Sequence, residues 1–380
     1  MFKKILKIVL LLLVVLIAAA IAVPFLFKGK ILEKVKTELN NHLNAQVDFK
    51  DINISLFRHF PRLAVGLENL QVINKAPFAG DTLLSVKEID VALDLMSVIR
   101  GGKMNIYNIS LETPRIHTII DSTGKANWDI TPPDTARAQS ADTTKSNFAL
   151  NLQQYRITNA YISYDDHQGH MSLVIDGLDH SGKGDFTQDK FVLATSTQAN
   201  AVTFYYGVIP YLDAVKATLD ADVQVDNTTS TYTIPHSKLH LNNLEVNANG
   251  SFKMLPDAAY GIDLTCSSAS TRFKDLLSLI PAIYAKDFDK IKTSGTANFN
   301  GFVKGTYSAQ QLPAFGLNVG VQDGFFQYPD LPKPVQHIQL ALSIASPDGV
   351  PDHTVINLSQ AHLEMDASPV DMRLHVATPV

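Results

Sequence analysis

The sequence predicts a mainly β protein: an N-terminal transmembrane helix, then an extended, curved antiparallel sheet forming a groove or trough, with a few short helices. Three observations carry this expectation. Ile8 to Phe27 runs for twenty residues without a charge, and a helix of about 20 residues spans the ~30 Å hydrocarbon core of a bilayer. From Gln46 onward the apolar period is two, the signature of half-buried strands. Helical signals are too few to cover so many half-apolar strands, so the sheet folds on itself or something other than protein lies on its apolar face.

In chain order, Lys3, Lys4 and Lys7 precede the apolar run. Ala20-Ile21-Ala22 fits a signal-peptide cleavage pattern. The run continues through Val23 to Phe27, which favours an uncleaved anchor. Either reading places the chain after about residue 28 outside the cytoplasm. Gly29 to Asn44 reads as an amphipathic helix, with Ile31, Leu32, Val35, Leu39 and Leu43 at helical spacing. It is expected to cap the domain and lead out of the membrane.

Alternating strands follow, each carrying apolar candidates for a groove lining: Ile89, Val91, Leu93 and Leu95; Leu219, Ala221, Val223 and Val225; Phe315, Leu317, Val319 and Val321; Ile338, Leu340, Leu342 and Ile344. Met372, Leu374 and Val376 end the series. The competing reading of these rows is the filled core of a closed β-sandwich. Turn signals lie at Gly101-Gly102, Ser122-Thr123-Gly124, His167-Gln168-Gly169, Asn249-Gly250 and Pro347-Asp348-Gly349. Phe273 to Phe288 is the clearest helical pattern after the first, and a short helical turn is expected at Tyr211 to Val215.

Pro132 to Asn147 has no large apolar residue and reads as a solvated linker. The expected organisation is therefore a cytoplasmic stub and anchor (1–28), a helix plus β region (29–131), the linker (132–147) and a longer β-rich region (148–380). Asn108 to Leu111 with Pro114-Arg115-Ile116 echoes Thr158 to Ile162 across that linker. The chain stops at Thr378-Pro379-Val380 directly after an alternating run, from which a C-terminal truncation is expected.

Composition limits function. Charged residues are 18 % of the 380, below the ~25 % usual for soluble chains. The balance of 32 basic and 37 acidic residues leaves a net charge of −5, which argues against a nucleic-acid partner. The single cysteine, Cys266, excludes a disulfide scaffold. Nucleotide loops, serine-hydrolase elbows and zinc-helix motifs are absent from the sequence. Asp165-Asp166-His167 with His170 has metal-ligand residue types but reads as a hairpin turn, and His236 with His240 sits in strand-like surroundings. Cys266 reads as a small hydrophobe, and Trp128 as an aromatic packed on a turn. No catalytic residue, cofactor or metal is expected.

Several segments resemble the AsmA family of Gram-negative envelope proteins, in its Bacteroidota form. They are the anchor with its following helix; Val47-Asp48-Phe49 leading to Ile52-Asn53-Ile54-Ser55-Leu56-Phe57; Pro61-Arg62-Leu63; and Leu67-Glu68-Asn69-Leu70. Gly124-Lys125-Ala126-Asn127-Trp128-Asp129-Ile130, Ile157 to Asp165 and Asp323 to Pro332 extend the likeness. The resemblance implies an inner-membrane anchor, a periplasmic body, and a part in outer-membrane biogenesis and lipid homeostasis. It further implies kinship with bridge-like lipid-transfer proteins, whose curved sheets form apolar troughs. A non-enzymatic carrier or conduit for phospholipid or another envelope lipid is the leading expectation. An assembly factor that captures outer-membrane proteins or other partners by strand addition is the alternative.

Overall fold

The computed structural model describes residues 28–29, 32–94, 104–131, 148–256, 259–279, 290–308, 311–328, 333–366 and 368–378. The apolar span Ile8–Phe27, Leu95, the Gly101-Gly102 turn and the linker 132–147 lie outside them. Among the described residues no helix is long and apolar enough to cross a membrane. The chain divides into two compact units, Met1–Gly169 and His170–Val380.

The first unit holds helix α1 (32–42) and strands β1 (Ala45–Asp48), β2 (Asp51–His59), β3 (Arg62–Asn74), β4 (Thr82–Leu93), β5 (Met104–Glu112), β6 (Arg115–Ile120) and β7 (Phe148–Asp166). The expected helix forms because its apolar stripe has a sheet to cover. Leu32, Val35, Leu39 and Leu43 pack on a core of Val47, Phe49, Ile52, Leu70, Val72 and Val86. Asn40 locks the helix to β1 through both amide atoms: its Nδ2 donates to the Val47 carbonyl at 2.8 Å and its Oδ1 accepts from the Val47 N–H at 2.9 Å. Lys36 pairs with Asp48 and lies over the Phe49 ring.

β3 is central: β1, β2 and β4 all pair antiparallel to it, and β5 continues beyond β4. Then the pattern departs from the all-antiparallel expectation. β5 and β6 both pair parallel to β7. The reason is the crossover of residues 121–147, long enough to return the chain in the direction it came from. β7, expected to open the second region, therefore belongs to the first unit. The two echoing segments lie side by side: Glu112 is opposite Thr158 and Arg115 opposite Tyr161. Both strands kink between those positions, at Thr113 (φ 52°) and Asn159 (φ 51°). The Thr113 N–H donates to the Thr158 carbonyl at 2.8 Å and the Tyr161 N–H to the Pro114 carbonyl at 2.9 Å.

The loop after β6 is pinned by Asn127, which is 1 % exposed. Its side-chain oxygen accepts from the Ile119 N–H (2.9 Å), its Nδ2 donates to the His117 carbonyl (2.9 Å), and its own carbonyl accepts from Asn74 Nδ2 (2.6 Å). Trp128 beside it is half-exposed and touches Tyr164.

The described residues of the second unit form a meander of eleven strands, each antiparallel to the next. They are β8 (Met171–Lys183), β9 (Lys190–Tyr206), β10 (Ile209–Asp226), β11 (Thr231–Leu241), β12 (Leu244–Met254), β13 (Tyr260–Arg272), β14 (Lys292–Tyr307), β15 (Ala314–Gln327), β16 (Val335–Ser346), β17 (Val355–Met365) and β18 (Ser368–Ala377). Two expectations are corrected. Tyr211 to Val215 is not a helical turn but part of β10. The register slips three times between Pro210 and Ala217, and Ala214 (φ 49°) donates its N–H to Thr203 Oγ1, so bulges produce the irregular apolar spacing. Asn249-Gly250 is not a turn but lies inside β12. A Cβ on Gly250 would sit 2.0 Å from the Asp263 carbonyl oxygen, so the glycine serves close strand approach at φ 145°.

Four successive pairings slip register near one end of β13–β17: at Ser268/Thr271, at Ser294/Thr296 around Gly295, at Val321/Gly324 around Asp323, and at Gln336/Gln339 around His337. Aligned bulges bend a sheet. Into this bend folds helix α2 (Phe273–Leu277), the described part of the expected Phe273–Phe288 helix; residues 280–289 lie outside the description. Phe273, Leu276 and Leu277 pack on Ala297, Val321, Ile338 and Leu340.

Replacing Asn127 with Ala strands the Ile119 N–H and the His117 carbonyl in a buried site. The expected cost is about 2–4 kcal/mol, read as a lowered urea midpoint, whereas Trp128→Phe is near neutral.

Candidate functional site

Antiparallel partners share a face, so the registers sort every side chain of the second unit. Leu219 is opposite Leu239 and Thr197, Ala221 opposite Ser237, Val223 opposite Leu193, and Val225 opposite Tyr232 and Phe191. Phe315 is opposite Val303, Leu317 opposite Gly301 and Ile344, Val319 opposite Phe299 and Leu342, and Val321 opposite Ala297 and Leu340. Ile356 and Leu358 carry the row to Val376 and Leu374. Twelve of the sixteen groove candidates therefore lie on one continuous apolar face spanning β8 to β18. The opposite face is polar: Asp263 pairs with Lys304 at 2.9 Å, Lys238 with Glu245 at 3.0 Å, and Asn318 bonds Asn300 at 3.0 Å.

Ile89, Val91 and Leu93 belong to the first unit. They form a comparable row there, between Leu67, Val65 and Leu63 on β3 and Leu111, Ile109 and Ile106 on β5. Leu95 lies outside the described residues.

The apolar face of the second unit is covered at one end and open beyond it. Under α2, Val321 is 4 % exposed; four residues along the same strand and face, Leu317 is 37 % exposed. There five neighbouring strands, β11 to β15, enclose an open concavity of about 490 Å³, within the range of small-molecule sites. Its walls are Ile234, Leu264, Val303, Phe315 and Leu317, and its floor is made shallow-sided by Ala248, Cys266 and Gly301. A Cβ on Gly301 would press within 3.2 Å of the Cys266 sulfur, so the missing side chain is part of the space. Asn249 and Thr265 border it from the other face, where their side chains bond to each other. On the side away from α2 runs a row of aromatics: Tyr232 to Phe252 at 6.5 Å, Phe252 to Tyr260 at 5.2 Å and Tyr260 to Tyr307 at 6.4 Å between centroids.

Among the described residues this surface offers mainly apolar contact. The polar candidates do not converge. Asp165 meets His117 at 3.2 Å, while Asp166 accepts from Tyr164 and from the Gly169 N–H to close the turn after β7. His240 pairs with Glu245 at 3.4 Å, and His236 lies where β11 slips register against β12. Among the described residues no group of three or more His, Cys, Asp or Glu is placed to hold a metal. Sequence reading missed the floor of the concavity. Glycine and alanine leave no mark on an alternating hydrophobic pattern, and only the strained spacing of Gly250 and Gly301 within strand-like runs marked it.

The model of the AsmA family matches residues 1–250, so the chain belongs to that family. No curated protein and no solved structure matches it. Family membership points to an envelope- and lipid-related function.

Burial pushes the Cys266 thiol above its ordinary range. Thiolate is the reactive form, so maleimide labelling of Cys266 is expected to be slow at neutral pH. It should climb about tenfold per pH unit until the raised value is passed, whereas an unperturbed thiol levels off earlier. A stopped series of labelling times from pH 7 to 10 checks this.

Proposed function

We propose that this AsmA-family chain is an inner-membrane-anchored periplasmic protein that holds or conducts phospholipid, or another envelope lipid, along the apolar face of its second unit without catalysis. The observation that carries the reading is the open stretch of that face: an apolar surface across successive strands, concave between β11 and β15 and, among the described residues, covered where α2 packs. Each buried methylene contributes about 0.8 kcal/mol, so roughly ten methylenes give about 8 kcal/mol before ordering costs, with no head-group contact. The twenty-residue uncharged run at Ile8–Phe27 supports the anchor, and the lipid association of the family supports the ligand class.

One observation favours the alternative partner class. β18 is exposed along almost its whole length, including Val370, Met372 and Leu374, and an edge strand can accept an extended segment of another protein. Stable protein partners recovered with the intact chain, and lost when Met372 is replaced by Pro, are the result that reading requires.

The lipid reading is tested by extracting the purified chain with organic solvent and identifying phospholipid by mass spectrometry. Two substitutions on one strand and one face separate lining from core. Leu317→Glu is expected to keep the melting temperature within a few degrees and to lose most bound lipid. Val321→Glu buries an unpaired charge beneath α2 and should destabilise by about 3–5 kcal/mol. Equal loss of stability from both would mean that the face is a filled core, and absence of lipid from the unsubstituted chain would end the proposal.

A further inference from the structure

The hairpin joining β2 to β3 carries two strongly exposed phenylalanines, Phe57 at 70 % and Phe60 at 79 %. Local geometry turns them outward. The Ser55 hydroxyl accepts from the N–H groups of Phe57 and Arg58, and the β2–β3 register slips between Ser55 and His59. The charged side chains beneath the tip are engaged by neighbouring strands. Arg58 pairs with Glu88 at 2.6 Å, His59 with Asp90 at 2.7 Å, and Arg62 lies over the Tyr107 ring and donates to Gln153 at 3.0 Å. What the tip offers is aromatic surface above charged groups held by partners on β4, β5 and β7.

The direction of the tip follows from three contacts. Asn40 of α1 meets Val47, Lys36 meets Asp48, and Lys28 meets Asp51 at 2.6 Å and Asn53 at 3.5 Å. Toward the start of the helical segment the partners advance from β1 into β2, which follow one another along β3, so the helical segment runs antiparallel to them. Phe57 lies four residues past Asn53, about 13 Å further on at ~3.3 Å per residue. The hairpin thus projects beyond Lys28, the residue at which the uncharged run Ile8–Phe27 joins the described chain. We infer that this tip is a membrane foot: Phe57 and Phe60 insert into the surface of the bilayer in which that run is anchored and hold the first unit against it. The inference rests on the anchor reading above, deepens it, and is tested apart from it. Exposed aromatic tips are suited to such insertion, because ring burial in the interfacial region gains free energy while the paired charges stay at the headgroup level.

The test uses the full chain in phosphatidylcholine vesicles. Trp128, the one tryptophan, is replaced by Phe, and single reporters are introduced as Phe60→Trp, Phe57→Trp and, as a reference, Gln71→Trp, an exposed position on β3 about 30 Å from the tip by strand rise. The expected result is blue-shifted emission from positions 60 and 57 and at least a twofold loss of emission in vesicles with brominated acyl chains, with position 71 unchanged. Solvent-like, unquenched emission at 60 and 57, or equal quenching at 71, would overturn the inference, as would quenching replaced by a shift that follows protein concentration, the mark of self-association. Retention after an alkaline carbonate wash reports the anchor separately. A chain washed off while its tip is still quenched refutes the anchor and keeps the foot, and a retained chain with an unquenched tip does the reverse.

Discussion

Everything in the second unit depends on one constraint: antiparallel pairing forces opposite residues onto a common face. Each of the strands β8 to β18 alternates, and where a register slips, a bulge shifts the sequence parity while opposite residues keep a common face. Apolar side chains must then accumulate on a single side from Leu173 to Leu374. A sheet so sorted has an unmet demand for cover. The described residues of this unit supply α2, which meets that demand over Ala297, Val321 and Leu340.

The bulges reconcile this sorting with curvature. A regular meander of strands this long would twist steadily and leave its apolar side broad. Concentrating slips at Ser268, Gly295, Asp323 and His337 bends one end inward, where α2 can seal it. The middle, around Cys266 and Gly301, is lined by small residues and is open among the described residues. Glycine acts there in two ways. At Gly250 it lets strands approach where a Cβ would collide with backbone, and at Gly301 it withholds volume from the concavity.

The rows of candidates were legible in the sequence because parity is local. Val223 and Leu317 could be placed on a face without knowing any partner, since neighbours two apart must share it. The features that escaped depend on distant partners. That β5 and β6 run parallel to β7 is decided by where residues 121–147 return the chain. That Tyr211 to Val215 is strand rather than helix is decided by Thr203 on the neighbouring strand. Asn127 carries no apolar signature in the sequence, and its importance lies in contacts across the turn with His117 and Ile119 and with Asn74 on a distant strand. The family likeness was legible from the order of short motifs, and the match over residues 1–250 bears it out.

The matched kinks at Thr113 and Asn159 have a consequence for how this chain can vary. Two similar segments lying in parallel, each with its left-handed residue at the same level, index one another like teeth of a ratchet. Their alignment is fixed by the teeth and not by the cord between them. Closing a flexible loop costs only about 0.6 kcal/mol more for each doubling of its length. The crossover between β6 and β7 is therefore a natural point at which to splice in a tag or a reporter domain.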